Sequence, residues 1–138
     1  MDREQFLTWA ESVLAPCATA GASPSGLTPY RNVRIGPWQY LGVDALHDGT
    51  VRVYLYSTRP ALKARWMHLR NTLETRGSLE PLQPLPPDSR PRLFMRDNGE
   101  AHRGFFGFEW QPGPKNLSSE QAPVSQYVTW LLHVARET

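Results

Sequence analysis

The sequence predicts an α+β fold of two layers, in which an antiparallel sheet built from two hairpins carries helices on one face. Apolar residues recur at helical spacing in three segments, and they alternate with polar residues in the segments between them. Turn-forming residues divide the alternating segments into pairs. The predicted order is helix, two or three strands, helix, two strands, helix. Because 138 residues is the size of one ordinary domain, we expect a single domain over residues 1–138.

The first helix is predicted from about Asp2 to Leu14, where apolar residues form one stripe. Asp2 and Gln5 have the spacing of a capping box, and Pro16 prevents the helix from continuing. Residues 17–29 are rich in Ala, Gly, Ser, Thr and Pro and show no period. A mobile loop is therefore expected there.

The first hairpin is predicted from two alternating segments, Trp38–Leu46 and Thr50–Ser57, which flank a turn signal that ends at Gly49. A short edge strand over Asn32–Ile35 is an optional addition before it. Alternation places one set of apolar residues on the core face, namely Leu41, Val43, Ala45, Val51, Val53 and Leu55.

The second helix is predicted from Pro60 to about Arg76, with Thr58 as its cap. Several prolines in residues 78–91 cannot donate backbone hydrogen bonds, so an extended connection is expected there. The buried seam of the helix is predicted to consist of Leu62, Trp66, Leu69 and Leu73.

The second hairpin is predicted around Asn98 and Gly99, which suit a two-residue turn between Arg92–Asp97 and Glu100–Trp110. The last helix is expected to begin at Ser118 or at the serine after it. Its apolar stripe is predicted to contain Val124, Tyr127, Val128, Leu131, Val134 and Ala135.

The face of the first hairpin opposite the core is unusually aromatic. A large apolar patch is uncommon on a soluble monomer, so we expect this face to be covered by a chain segment or by a second copy, of which a homodimer is the simpler case. The predicted function is that of a non-enzymatic protein-binding or chaperone-like accessory module, and the identity of its protein partner stays open. The predicted protein-binding residues are Trp38, Tyr40, Tyr54 and Tyr56.

An alternative interpretation is a DNA- or RNA-binding accessory protein. The outer face of the second hairpin alternates arginine with aromatic rings, and the second helix carries mostly basic charge. Such residues neutralise phosphates and stack on bases, provided that the helix and the strand face converge on one surface. The predicted nucleic-acid-binding residues are Arg59, Lys63, Arg65, Arg70, Arg92, Phe94, Arg96, Arg103 and Phe105.

Catalytic and metal-binding motifs are not found in the sequence. It contains no G-x-S-x-G, no H-E-x-x-H and no glycine-rich phosphate loop, and Cys17 is the single cysteine. We therefore expect no enzyme activity, no catalytic residue, no metal and no cofactor. The formal net charge of +2 does not by itself predict a polyanionic partner. With no apolar run of about 20 residues and no signal-peptide pattern, we expect a cytoplasmic protein without a membrane partner.

The segment from Arg52 to Arg96 carries a resemblance to known proteins. It contains a strand ending Val-Tyr-Leu-Tyr, then Arg-Pro, a helix with the Leu62 to Leu73 seam, and the strand Arg92–Arg96. This arrangement resembles uncharacterised domains appended to restriction-endonuclease-like nucleases. The element order of the whole chain is also similar to that of type III secretion chaperones and their YbjN-like relatives. The second resemblance implies protein binding, commonly as a dimer.

Overall fold

The computed structural model describes residues 1–76, 92–97, 104–112 and 117–137. In these ranges the chain forms three α-helices, which are α1 (Arg3–Leu14), α2 (Pro60–Arg76) and α3 (Gln121–Glu137). The strands are β1 (Tyr30–Gly36), β2 (Gln39–Ala45), β3 (Val51–Ser57), β4 (Arg92–Asp97) and β5 (Gly104–Trp110). Short 3₁₀ turns occupy Ala15–Cys17 and Leu117–Glu120.

The described strands form one antiparallel sheet in the order β1-β2-β3-β5-β4. Helices pack against one of its faces. The ring of Phe106 on β5 stacks with Trp66 of α2 and with Trp130 of α3, at centroid distances of 6.4 and 6.5 Å. Phe6 and Leu7 of α1 belong to the same core. The predicted α+β class, with helices on one face of an antiparallel sheet, is confirmed.

The core face of β2 and β3 is the one that the alternation predicts, because all six predicted apolar residues are buried. Phe108 on β5 extends this face and stacks with Tyr127 of α3 at 4.5 Å between ring centroids. The predicted stripe of α3 leaves out Trp130, which is 3% exposed and contacts both Phe106 and Phe108. Aromatic stacking between α3 and β5 therefore joins the two layers.

Local signals locate the start of α1 correctly. The Gln5 backbone N–H donates to Asp2 Oδ1 at 2.8 Å, and the Asp2 N–H donates to Gln5 Oε1 at 2.9 Å. This is the predicted capping box, which satisfies two backbone donors that a helix start leaves without partners.

The start of α2 differs from the prediction. The Lys63 N–H donates to the Arg59 carbonyl at 3.1 Å, so Arg59 and not Thr58 holds the cap position. The Arg59 N–H in turn donates to Ser57 Oγ at 3.0 Å. The Ser57 side chain therefore satisfies the backbone N–H of the cap residue, and Thr58 lies one residue before the cap.

The sequence predicts that Trp38 is a strand residue. In the structure it lies in the turn between β1 and β2 instead. The register pairs Gly36 with Gln39, which leaves Pro37 and Trp38 at the two central turn positions. Trp38 has a φ of 62°, in the left-handed region. The predicted edge strand is present and longer than expected, because β1 extends over Tyr30–Gly36. The irregular backbone before it contacts its outer edge through a bridge between Ser25 and Asn32.

The register of the second hairpin differs from the prediction by four residues. A two-residue turn at Asn98 and Gly99 would pair Asp97 with Glu100, whereas the structure pairs Asp97 with Gly104. Because the difference is an even number, each residue stays on its predicted face of the sheet. The predicted turn itself, the connection over residues 78–91 and Arg103 lie outside the described residues.

Candidate functional site

The sheet face opposite the helices carries a row of side chains that crosses the strands. The register aligns Arg34 with Tyr40, Tyr40 with Tyr56, and Tyr56 with Phe105. The rings of Tyr40 and Tyr56 stack at 4.7 Å between centroids, and Phe105 lies 5.8 Å from Tyr56. We call the surface formed by Tyr40, Tyr54, Tyr56 and Phe105 the aromatic face.

Phe105 joins two predictions that the sequence keeps apart. The sequence assigns it to the alternative nucleic-acid surface of the second hairpin. In the structure it contacts Tyr54 and Tyr56 of the first hairpin, at 5.6 and 5.8 Å between ring centroids. The antiparallel pairing of β3 with β5 causes this contact, because it sets Phe105 directly opposite Tyr56.

Tyr54 differs from the other predicted protein-binding residues because it is 5% exposed. In the register it lies between Gly42 on β2 and Gly107 on β5. A Cβ atom at Gly42 would lie 2.6 Å from the Tyr54 ring, so glycine is needed for the ring to lie against β2. Tyr54 therefore supports the aromatic face from within rather than offering its own surface to a partner.

A buried carboxyl holds the Tyr54 hydroxyl. Tyr54 donates to Asp44 Oδ1 at 2.6 Å, and Asp44 is 3% exposed. Burial raises the pKa of Asp44 to about 7, against the opposing effects of the hydrogen bond from Tyr54 and the charge of Arg52. Burial, followed by the nearby Asp44, also raises the pKa of Tyr54. Because both groups are buried, a substrate has almost no surface of either through which to reach them.

Arg52 lies beside this pair and is already engaged. Its Nε donates to Glu109 Oε2 at 3.0 Å in a half-buried ion pair. In the register, Asp44, Arg52 and Glu109 lie side by side on β2, β3 and β5. Acidic and basic residues therefore alternate across the strands there. This part of the face therefore offers little net positive charge.

Trp38 and its neighbours form a separate feature at the end of the aromatic face. The Ser57 hydroxyl donates to the Trp38 carbonyl, and the Arg59 guanidinium lies 4.6 Å from the centroid of the Trp38 ring. The indole is nevertheless 56% exposed. We call the group of Arg34, Trp38, Tyr40 and Arg59 the Trp38 corner.

A cavity of about 330 Å³ opens at the Trp38 corner. Its lining includes the apolar residues Pro37, Trp38 and Tyr40 and the cationic residue Arg34. Tyr40 also belongs to the aromatic face, so the cavity and the row of rings are continuous. The full lining consists of Thr19, Arg34, Gly36, Pro37, Trp38 and Tyr40.

The residues predicted to bind nucleic acid do not form one surface in the described part of the chain. Helix α2 packs on the helical side of the sheet, where Trp66 stacks on Phe106 and the Lys63 chain covers Gly104. Phe105 lies on the other side, so the sheet separates it from Lys63, Arg65 and Arg70. Arg59 is the exception among these helix residues, because it reaches Trp38.

The β4 residues of that prediction are located by register alone. Arg92 pairs with Glu109, Phe94 with Gly107 and Arg96 with Phe105. Each of them therefore pairs with a residue of the strand that carries Phe105.

Sequence reasoning missed Arg34 and Asp44. The sequence contains a signal for each of them. Asp44 follows Tyr40 by an even number of residues in β2, which places both on the same face, and Arg34 lies on the predicted edge strand beside β2. The contact between Arg59 and Trp38 had no comparable signal, because it depends on the turn and the start of α2 meeting in space.

The described ranges of the chain contain no metal cluster and no membrane-spanning helix. Within those ranges, no group of three or more His, Cys, Asp or Glu side chains could hold a metal ion. No helix in the described part of the chain is long and apolar enough to cross a membrane.

Comparison with protein-family models, curated proteins and solved structures gives no relative from which a function could be transferred. No protein-family model matches it. No curated protein matches it, and no solved structure does. The geometry of the aromatic face and the Trp38 corner is therefore the basis for a functional proposal.

Proposed function

We propose that this protein is a non-enzymatic accessory module that binds a protein partner through the aromatic face and the Trp38 corner. The observation that carries the proposal is the continuous row from Arg34 through Tyr40 and Tyr56 to Phe105, with the exposed Trp38 at its end. Tryptophan, tyrosine and arginine are the residues that most often dominate binding energy at protein interfaces.

The backbone of Trp38 supports the same proposal. A turn with proline first and a positive φ at the next position favours glycine or asparagine there. A bulky residue in that conformation costs about 1–3 kcal/mol. Folding alone would favour a smaller residue, so the exposed indole is best explained by a contact that the isolated chain lacks.

Buried polar chemistry favours binding over catalysis. Asp44 and Tyr54 are the pair best suited to act as an acid and a base, but they form an internal hydrogen bond of 2.6 Å with each other. It holds the ring of Tyr54 beneath Tyr56 and Phe105, which contact it at 6.1 and 5.6 Å between centroids. This arrangement stabilises the surface on which a partner would rest.

Affinity capture from the source cell with matched variants tests the proposed function. We expect wild-type protein to retain a defined set of proteins that Tyr40→Ala and Trp38→Gly lose. The control is Met67→Ala, which removes an exposed apolar side chain from α2 on the other side of the sheet. Identical retention by all four proteins would contradict the proposal. Retention of nucleic acid instead of protein would favour the alternative function.

A further inference from the structure

The cationic groups of the Trp38 corner lack anionic partners within the described chain. Arg34 is one of the residues that line the cavity, and the guanidinium of Arg59 lies on the Trp38 ring. The carboxylates whose side chains are described are all bound elsewhere. They contact backbone or side-chain donors as follows: Asp2 with Gln5, Glu4 with Thr28, Glu11 with Arg31, Asp44 with Tyr54, Asp48 with Thr50, Glu109 with Arg52, and Glu120 with Trp110.

We propose that the Trp38 corner binds a carboxylate side chain of an extended partner segment, whose apolar side chains rest on the adjoining aromatic face. This inference rests on the proposed protein-binding function and names the kind of segment that the surface fits. The lining of the cavity includes the cationic residue Arg34 and the aromatic residues Trp38 and Tyr40. Such a site suits a carboxylate attached to an apolar stem.

The spacing of the row sets the length of the segment. Arg34, Tyr40, Tyr56 and Phe105 lie on four successive strands, and three spacings of about 4.8 Å add up to about 14 Å. An extended chain covers that distance in about five residues, with alternate side chains directed to the same side. The segment therefore has an acidic residue and, two and four positions away, apolar residues.

The distribution of charge favours a peptide over a nucleic acid. A nucleic acid carries a phosphate at every nucleotide and needs positive charge along its whole path. On the described part of this face, Arg52 is paired with Glu109, and the central row between Arg34 and Phe105 consists of uncharged rings. In the register this row continues from Phe105 to Arg96 on β4, so an arginine stands at each end and three uncharged rings lie between them. Such a row suits a ligand with few anionic groups better than one with a phosphate at every nucleotide.

The probes are two blocked pentapeptides with leucine at position three and phenylalanine at position five, separated by serines. One begins with glutamate and the other with glutamine. Binding is followed by the NMR signal of the Trp38 indole N–H, assigned with Trp38→Phe. We expect a saturable shift, with the glutamate peptide bound about fivefold more tightly than the glutamine peptide and this preference declining as salt is added.

Variants separate the carboxylate site from the aromatic face. Arg34→Gln should abolish the preference for glutamate, whereas the charge-matched control Arg65→Gln on α2 should retain it. Tyr56→Ala should lower the affinity for both peptides by the same factor. Equal binding of the two peptides by wild-type protein would overturn the carboxylate site, while the capture experiment would still report on the proposed function. The absence of a saturable shift with either peptide would also overturn the carboxylate site. Tighter binding of a single-stranded oligonucleotide would overturn it as well.

Discussion

Trp38 combines an exposed ring with a backbone conformation that ordinarily belongs to glycine. Its ring gains a cation–π contact with Arg59, which at exposed sites contributes about 0.5–1 kcal/mol. This gain is no larger than the expected backbone cost of about 1–3 kcal/mol. At the scale of one residue, Trp38 therefore contributes little net stability to the fold.

Replacing Trp38 with glycine should consequently leave the free energy of unfolding within about 1 kcal/mol of the wild-type value, since relief of the backbone offsets the lost ring contact. Urea denaturation followed by circular dichroism measures this. The comparison is Trp66→Ala, which removes a buried indole and should cost about 3–5 kcal/mol. A loss above about 2 kcal/mol for Trp38→Gly would identify Trp38 as a structural residue.

Asp44 should make stability depend on pH. Its folded-state pKa is raised from 3.8 to about 7, so the folded chain holds a proton between these values that the unfolded chain releases. The free energy of unfolding should therefore fall as pH rises through this window. Asp44→Asn keeps an oxygen acceptor for Tyr54 and does not titrate, so it should remove that slope and be more stable than wild type at pH 8.

Chemical denaturation from pH 4.5 to pH 8 checks the Asp44 prediction. Asp48→Asn serves as the control, because the backbone N–H of Thr50 lowers the pKa of this exposed carboxyl. Its contribution is present above the ordinary pKa and is lost only as pH falls below it. Equal slopes for the wild type and Asp44→Asn would refute the assignment of the pH dependence to Asp44.

Elements whose ends depend on nearby residues were predictable from sequence. The capping box of α1 involves Asp2 and Gln5 alone, and alternation located the core face of β2 and β3. The register of the second hairpin was not predictable from its turn residues. Strand β5 also pairs with β3, where Gly107 lies opposite Tyr54, and the turn residues contain no information about this long-range pairing.

The candidate site was predictable only in part for the same reason. Alternation within the first hairpin indicated the tyrosines, but it could not bring Phe105 beside Tyr56, because β3 and β5 are far apart in sequence. The Trp38 corner requires a turn, a strand and the start of α2 to meet. Contacts between distant segments are the information that one sequence read locally does not contain.

The close approach of β2 to Tyr54 makes Gly42 a sensitive position. A Cβ there would lie 2.6 Å from the Tyr54 ring, so Gly42→Ala must displace a buried ring and should cost about 1–3 kcal/mol. Gly36→Ala is the matched control, since a Cβ at Gly36 meets no atom within 4 Å. Thermal unfolding of both variants measures the difference. Equal melting temperatures would show that the Tyr54 ring moves without cost.

The molecule as a whole exposes less of the aromatic face than its sequence suggests. Tyr54 is buried, and Tyr40, Tyr56 and Phe105 are half-buried. A stable dimer ordinarily buries about 800 Å² on each partner. The homodimer stays a prediction. Because the aromatic face is already partly buried, we expect any dimer that it forms to be weak.

Sedimentation velocity over a range of concentrations tests association. We expect a monomer at low micromolar concentration and dimers only well above it, with Tyr56→Glu suppressing the dimer because a charge on the face opposes burial. Met67→Glu on α2 should leave association unchanged. A dimer that persists at nanomolar concentration, or one that ignores Tyr56→Glu, would show that another surface mediates self-association.

The reactivity of the Cys17 thiol reports on local opening of the fold. The thiol is 7% exposed within the core, and burial raises its pKa against the opposing charge of Arg136, so the reactive thiolate is scarce while the fold is closed. With a single cysteine in the sequence, modification by a thiol reagent reports one location. Its rate in native buffer should therefore report how often the 3₁₀ turn that carries Cys17 opens, and a ligand that stabilises the folded state should slow it.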